Sequence, residues 1–67
     1  MSVAKVIELC SASEKSFEDA VNKGIERANK TVENVEGAWV KEQQVAISDG
    51  KIKEYRVNLK VTFLLKD

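Results

Sequence analysis

Apolar residues change their spacing along the chain, and each spacing predicts a different element. Residues 3–10 are rich in Val and Ile, which is typical of a β-strand. Residues 11–13 predict a turn, and Ser13 is the candidate N-cap of a following helix. A serine hydroxyl can accept a hydrogen bond from an amide of the first helical turn.

A helix follows, because the next apolar residues recur at the i, i+3, i+4, i+7 spacing. They are Phe17, Ala20, Val21, Gly24, Ile25, Ala28 and Val32. Charged and amide residues between them predict a solvent-exposed side. Gly24 lies on the apolar side although glycine costs a helix about 1 kcal/mol relative to alanine. We therefore expect Gly24 to mark a close contact between the helix and the sheet.

The remaining residues predict a long β-hairpin over residues 38–48 and 51–65. Asp49 and Gly50 join the two strands, and this pair favours a type I′ turn, which needs positive φ at both central positions. The last strand alternates cleanly, with Tyr55, Val57, Leu59, Val61, Phe63 and Leu65 on one face. The predicted fold is α+β with the order β-α-β-β, and residues 1–67 are expected to form a single domain.

A two-residue turn also predicts the register of the hairpin. The pairs on the helix side are Gln44–Tyr55, Glu42–Val57, Val40–Leu59 and Ala38–Val61. The pairs on the opposite face are Trp39–Lys60, Lys41–Asn58, Gln43–Arg56 and Ile47–Ile52. A bulge would move residues to the other face, because side chains alternate with a period of two.

Size and composition indicate self-assembly. A chain of 67 residues buries only about 60% of its unfolded surface, so its stability as a monomer is marginal. Cys10 is the only cysteine and there is no histidine, which removes disulfides, zinc-binding cysteine pairs and the commonest general base. Oligomerisation is the remaining means of stabilisation.

Charge and hydropathy exclude other classes of partner. Eleven basic and eleven acidic residues balance, whereas binding to nucleic acid by charge needs a basic excess. No long apolar run occurs, so we expect neither a signal peptide nor a membrane span. A lone thiol without a secretion signal favours a cytoplasmic location.

No set of residues predicts catalysis. The serines read as capping and turn residues, and Cys10 is interpreted as a buried, inert thiol. No glycine-rich phosphate-binding motif is present. We therefore expect a protein that is not an enzyme.

The best candidate binding site lies on the sheet face away from the helix, where Trp39, Gln43, Arg56 and Lys60 are predicted to meet. An indole can stack on a flat ligand while polar groups bind its edge and phosphate. The alternative is that Trp39 packs in a subunit interface, where Arg56 makes a salt bridge. A divalent cation held by Glu36, Glu42 or Asp49 is a third possibility, without supporting spacing.

Three segments carry a resemblance to a known family. "KVIELCSASEKSFEDAVNKGIERANKT", "VKEQQV" and "KEYRVNLKVTFLL" resemble the dodecin family in order and spacing over nearly the whole chain. The resemblance implies a three-stranded antiparallel sheet partly wrapped around one helix, and a hollow shell of twelve identical subunits. It also implies storage of riboflavin or FMN, stacked in pairs between tryptophans at subunit interfaces. Some bacterial members hold coenzyme A.

Two positions depart from the flavin-binding pattern of that family. Gly37 occupies the position of the stacking tryptophan, and the only tryptophan stands two residues later at Trp39. Arg56 replaces the glutamine that binds the flavin ring edge, and arginine can donate hydrogen bonds but cannot accept them. Members that lack this tryptophan and glutamine resemble calcium-binding dodecins, so the alternative is a shell that binds calcium or is purely structural.

Overall fold

The computed structural model describes residues 3–65 and contains three strands and one helix. The elements are β1 (Ala4–Ser13), α1 (Phe17–Thr31), β2 (Val35–Ser48) and β3 (Lys51–Leu64). All pairings are antiparallel, and the strand order β1-β3-β2 places β3 in the centre of the sheet. The predicted α+β class and the β-α-β-β order are confirmed.

The helix begins later than the sequence predicts. The predicted turn at residues 11–13 is wrong, because β1 continues to Ser13, which pairs with Tyr55 and is buried. Ser16 is the N-cap instead, and its hydroxyl accepts a hydrogen bond from the Asp19 amide at 3.0 Å. Ser13 Oγ accepts from the Lys15 amide and donates to Asp19 Oδ2 at 2.5 Å. Ser13 therefore ties the end of β1 to the first turn of α1.

The core lies between one side of the helix and the central strand. Ala20, Gly24 and Ala28 form the buried side of α1, which packs on Val57, Leu59 and Val61. These residues of β3 have at most 1% of their surface exposed. Because the helix covers only one face of the sheet, the other face has no layer packed on it from residues 3–65.

Gly24 sits at a close contact between the helix and the sheet, as predicted. A Cβ atom at this position would lie 2.7 Å from Leu59 Cδ1, 3.2 Å from Leu9 Cδ1 and 3.3 Å from Ser11 Cβ. Since Leu59 is fully buried, it has little room to move aside. The absent side chain of Gly24 sets the distance between the two layers.

The hairpin turn has the predicted geometry, but the strands that it joins are irregular. Asp49 and Gly50 have φ values of 52° and 72°. The register of β2 and β3 shifts between Ala46 and Ile47 and again between Val40 and Glu42. The first shift leaves Lys53 of β3 without a partner residue in β2, and the second leaves Lys41 of β2 without one in β3. Because each strand has one extra residue, the register beyond the second bulge is the same as at the turn. A third shift lies between Val35 and Gly37.

The predicted register is therefore correct at both ends of this region and wrong in the middle. Trp39–Lys60, Val40–Leu59, Ala38–Val61 and Ile47–Ile52 pair as predicted. Between the bulges every predicted pair is offset by one residue, and the observed pairs are Glu42–Asn58, Gln43–Val57, Gln44–Arg56 and Val45–Tyr55. Gln43 consequently shares the helix side of the sheet with Val57, and Gln44 takes the predicted place beside Arg56.

The hairpin extends well beyond the helix, as the overall dimensions of 51 × 19 × 14 Å indicate. A helix of 15 residues spans only about 22 Å. Large apolar side chains far from it remain exposed, including Ile47 at 59% and Ile52 at 51%. The described helix is also too short and too polar to cross a membrane.

The contact at Gly24 predicts a sharp cost for any larger side chain. We expect Gly24→Val to lower the free energy of unfolding by about 2 kcal/mol, since overpacking a closely packed core costs about 1–3 kcal/mol. Urea titration followed by circular dichroism measures the change. Gly37→Val is the matched control, because no atom lies within 4 Å of a Cβ built there. A loss in Gly24→Val no larger than that of the control would contradict this packing.

The link between Ser13 and Asp19 predicts a loss of stability in acid. The hydrogen bond from Ser13, followed by the attraction of Lys23 and Lys15, lowers the pKa of Asp19 below its usual 3.8. A lowered pKa in the folded state adds stability above the unfolded-state pKa, and this stability disappears as the pH falls through the folded-state pKa. We expect Asp19→Asn to be less stable than wild type at pH 7 and to approach it as the pH falls below the usual aspartate pKa of 3.8.

Urea midpoints of both proteins across this range measure the effect. The matched control is Glu18→Gln, which removes a neighbouring first-turn carboxylate that receives no hydrogen bond from Ser13. A difference between Asp19→Asn and wild type that stays constant from neutral to acid pH would rule out this role of Asp19.

Candidate functional site

The candidate site lies on the sheet face opposite the helix, here called the outer face. The register and the alternation of side chains around the buried residues of β3 define it. Its polar and aromatic members are Glu8, Cys10, Trp39, Lys41, Glu42, Gln44, Glu54, Arg56, Asn58, Lys60 and Thr62. The outer face therefore carries cations, carboxylates and one large aromatic ring on a flat base.

Trp39 and Lys60 form its most distinctive contact. They are direct cross-strand neighbours, and Lys60 Nζ lies 5.8 Å from the centre of the indole ring. This distance is within the range of a cation–π interaction. Trp39 remains 53% exposed, so a large part of its side chain is open to a ligand.

Gly37 adds open space next to this pair. It pairs with Thr62, two positions from Trp39 along β2, and lies on the same face. Among residues 3–65, no atom outside its chain neighbours lies within 4 Å of a Cβ built at Gly37. A flat group stacked on Trp39 therefore meets no side chain from position 37 itself.

Charged side chains pair with one another across the rest of the outer face. Lys41 Nζ lies 3.3 Å from Glu8 Oε2, so this ion pair bridges from β2 to β1 across the central strand. Asn58 Nδ2 donates to Glu42 Oε1 at 3.1 Å. All of these groups are exposed, so their contribution to stability is small.

A shallow cleft of about 330 Å³ lies farther toward the hairpin turn. Its lining residues are Cys10, Ser11, Ala12, Gln44, Arg56 and Asn58. Arg56 Nε donates to Glu54 Oε2 at 2.6 Å, which holds the guanidinium against its own strand. Cys10 is exposed on this face, so its predicted burial is wrong: the residue has the outward orientation of Asn58, with which it pairs.

The structure brings together only part of the predicted constellation. Trp39 and Lys60 are in contact and Gly37 is their neighbour on the same face. Arg56 shares this face but lies four residues from Lys60 along β3, which is roughly 13 Å. Gln43 is on the helix side because of the bulge, and Gln44 replaces it. Sequence reasoning missed Gln44, since only the bulge turns it to this face, and it placed Asn58 on the correct face without assigning it to the site.

The predicted cation ligands are not gathered in one place. Residues 3–65 contain no group of three or more His, Cys, Asp or Glu side chains able to hold a metal ion. Glu42 accepts a hydrogen bond from Asn58, and Asp49 belongs to the hairpin turn at the far end of the molecule. Within one subunit these carboxylates do not form a cation site.

The arrangement defines a class of protein: a small β-α-β-β unit with a helix on one sheet face and an exposed aromatic on the other. The family model for dodecins matches residues 3–66. The calcium dodecin of Mycobacterium tuberculosis is 40% identical over 67 residues, which cover 98% of this chain and 93% of that protein. The dodecin of Thermus thermophilus is 37% identical over 65 residues, covering 97% of this chain and 94% of that protein. The chain belongs to the dodecin family.

Solved structures agree with this assignment. An arginine-to-alanine variant of Thermus thermophilus dodecin superposes with a TM-score of 0.94 at 36% identity, covering 100% of both chains. Calcium dodecin of Mycobacterium tuberculosis, described with a novel calcium-binding site, superposes with a TM-score of 0.84 at 38% identity. That comparison covers 97% of this chain and 93% of the other.

Proposed function

We propose that this protein binds a flavin, riboflavin or FMN, on its outer face and sequesters it without catalysing a reaction. The observation that carries the proposal is Trp39, an indole that is 53% exposed on a sheet face without a covering layer from residues 3–65. A planar isoalloxazine ring stacks on such a surface, gaining apolar burial and the preferred offset geometry of aromatic pairs.

The open backbone at Gly37 supports the same ligand. A three-ring system is wider than an indole, so it extends beyond Trp39 over the neighbouring position. Gly37 presents no side chain there, and no other atom lies within 4 Å of a Cβ at that position. The tryptophan stands two residues later than in the flavin-binding pattern of the family. The backbone at Gly37 then lies beneath the part of the ring that extends beyond Trp39.

The site is completed by further copies of the chain. Arg56 is roughly 13 Å along the strand from Lys60, so one flavin ring does not meet Trp39 and Arg56 of the same subunit. A neighbouring subunit supplies the second wall and an Arg56 side chain that donates to a flavin carbonyl. Exposed apolar side chains such as Ile47 and Ile52 are covered in the same assembly, which we take to be a closed homododecamer.

Fluorescence titration of riboflavin and of FMN with the purified protein tests the proposal. We expect saturable quenching at micromolar protein, because stacking on an indole quenches the flavin excited state. Trp39→Ala abolishes the quenching while the shell elutes unchanged from a size-exclusion column. Trp39→Phe keeps a smaller flat ring and retains weaker binding.

Two results would count against the proposal. Quenching that persists in Trp39→Ala places the flavin elsewhere, and an absence of quenching in the wild type removes flavin as the ligand. If Trp39→Ala instead elutes as smaller species, the indole is a structural part of a subunit interface.

Calcium is the second candidate, favoured by the 40% identical relative named calcium dodecin. Within one subunit, the outer-face carboxylates Glu8, Glu42 and Glu54 already bind Lys41, Asn58 and Arg56. A calcium site would therefore need carboxylates from several subunits. Calcium prefers six to eight oxygen ligands, which neighbouring copies of the same chain can supply together.

A thermal unfolding experiment distinguishes this candidate. If the shell binds calcium, millimolar calcium raises the melting temperature, since a ligand that binds only the folded state stabilises it. Addition of a chelator brings the melting temperature back to its calcium-free value. Magnesium at the same concentration is the control for ionic strength and charge. An equal response to both ions, or to neither, rejects a calcium site.

A further inference from the structure

We propose that Lys60 makes the outer-face site selective for flat ligands that carry an anionic group, so that FMN binds more tightly than riboflavin. This inference rests on the proposed function and specifies its ligand class. It comes from an unequal distribution of charge partners among the cations of the outer face.

Within residues 3–65 the outer face carries three cationic side chains, and two of them have an acidic partner. Lys41 pairs with Glu8 at 3.3 Å and Arg56 with Glu54 at 2.6 Å. Among residues 3–65, Lys60 has no carboxylate within salt-bridge distance. Its ammonium group lies over the ring of Trp39 instead.

Glu8 is the carboxylate nearest to Lys60 in the strand register, because the two residues are direct neighbours on β1 and β3. Its side chain, however, reaches across the sheet to Lys41. Glu42, the other nearby acid, accepts the amide hydrogen bond of Asn58. The neighbourhood of Trp39 thus contains two lysines and two carboxylates, but neither carboxylate lies within salt-bridge distance of Lys60.

The ammonium group of Lys60 and the stacking surface occupy the same place. An ammonium group 5.8 Å from the ring centre can stay near the indole while it turns one of its three N–H groups toward a ligand. A ring stacked on Trp39 with a phosphate on its side chain satisfies both features, because the phosphate supplies the charge partner that Lys60 lacks among residues 3–65. Riboflavin offers the ring but only hydroxyl groups for the lysine.

The test compares dissociation constants of FMN and riboflavin for the assembled wild type and Lys60→Gln. We expect the wild type to favour FMN by about tenfold, as one charge-assisted contact gives. In Lys60→Gln the ratio of the riboflavin dissociation constant to the FMN dissociation constant falls to about two or less, mainly because FMN binds more weakly. In wild type the preference shrinks as salt rises from about 0.05 to 0.5 M, because salt screens exposed charges.

Lys51→Gln is the matched control, since it removes the same charge beside the hairpin turn, where Lys51 pairs with Ser48. The ratio of its dissociation constants for the two flavins stays at the wild-type value. Equal affinities of wild type for both flavins, or an unchanged ratio in Lys60→Gln, overturn the selectivity while flavin binding itself stands. Failure of both flavins to bind overturns the proposed function and this inference together.

Discussion

The close approach of the helix to the central strand at Gly24 is the contact on which the rest of the structure depends. It lets α1 lie directly on Leu59, so the side chains of one helix are enough to bury the middle of β3. A single helix placed there makes one core on one side of the sheet and leaves the other side without a covering layer in residues 3–65. The outer face, with Trp39 and its charged neighbours, results from this one-sided packing.

The same packing explains why the subunit is suited to assembly. Its hydrophobic core is built from small residues of α1 and a few large residues of β3, while large apolar side chains along the hairpin lie beyond the reach of the helix. Burial of such side chains is the main favourable term in association as in folding. The outer face and the exposed part of the hairpin are therefore the surfaces that one chain leaves open.

Much of the fold could be predicted from the sequence because each element carries a local signal. The helical spacing, Gly24 on the apolar side, and Asp49-Gly50 at the turn all indicated what the structure contains. Ser13 was misassigned because Ser13 and Ser16 are both good helix caps, and only the tertiary pairing of β1 with β3 decides between them. Trp39 and Lys60 were placed correctly since two cancelling bulges separate them from the turn. Gln43 was misplaced because it lies between those bulges, and neither Lys41 nor Lys53 marks a bulge by its residue type.

These paired bulges enclose a segment of β2 whose orientation is independent of both ends of the hairpin. Removing both irregularities would turn residues 42–46 over while Trp39 and Ile47 kept their present neighbours. Gln43 would then replace Gln44 beside Arg56, with no amino acid substituted. The chemistry that the outer face presents is thus partly encoded in backbone register. Related chains can diverge in specificity by moving an irregularity along a strand while the core and the turn remain unchanged.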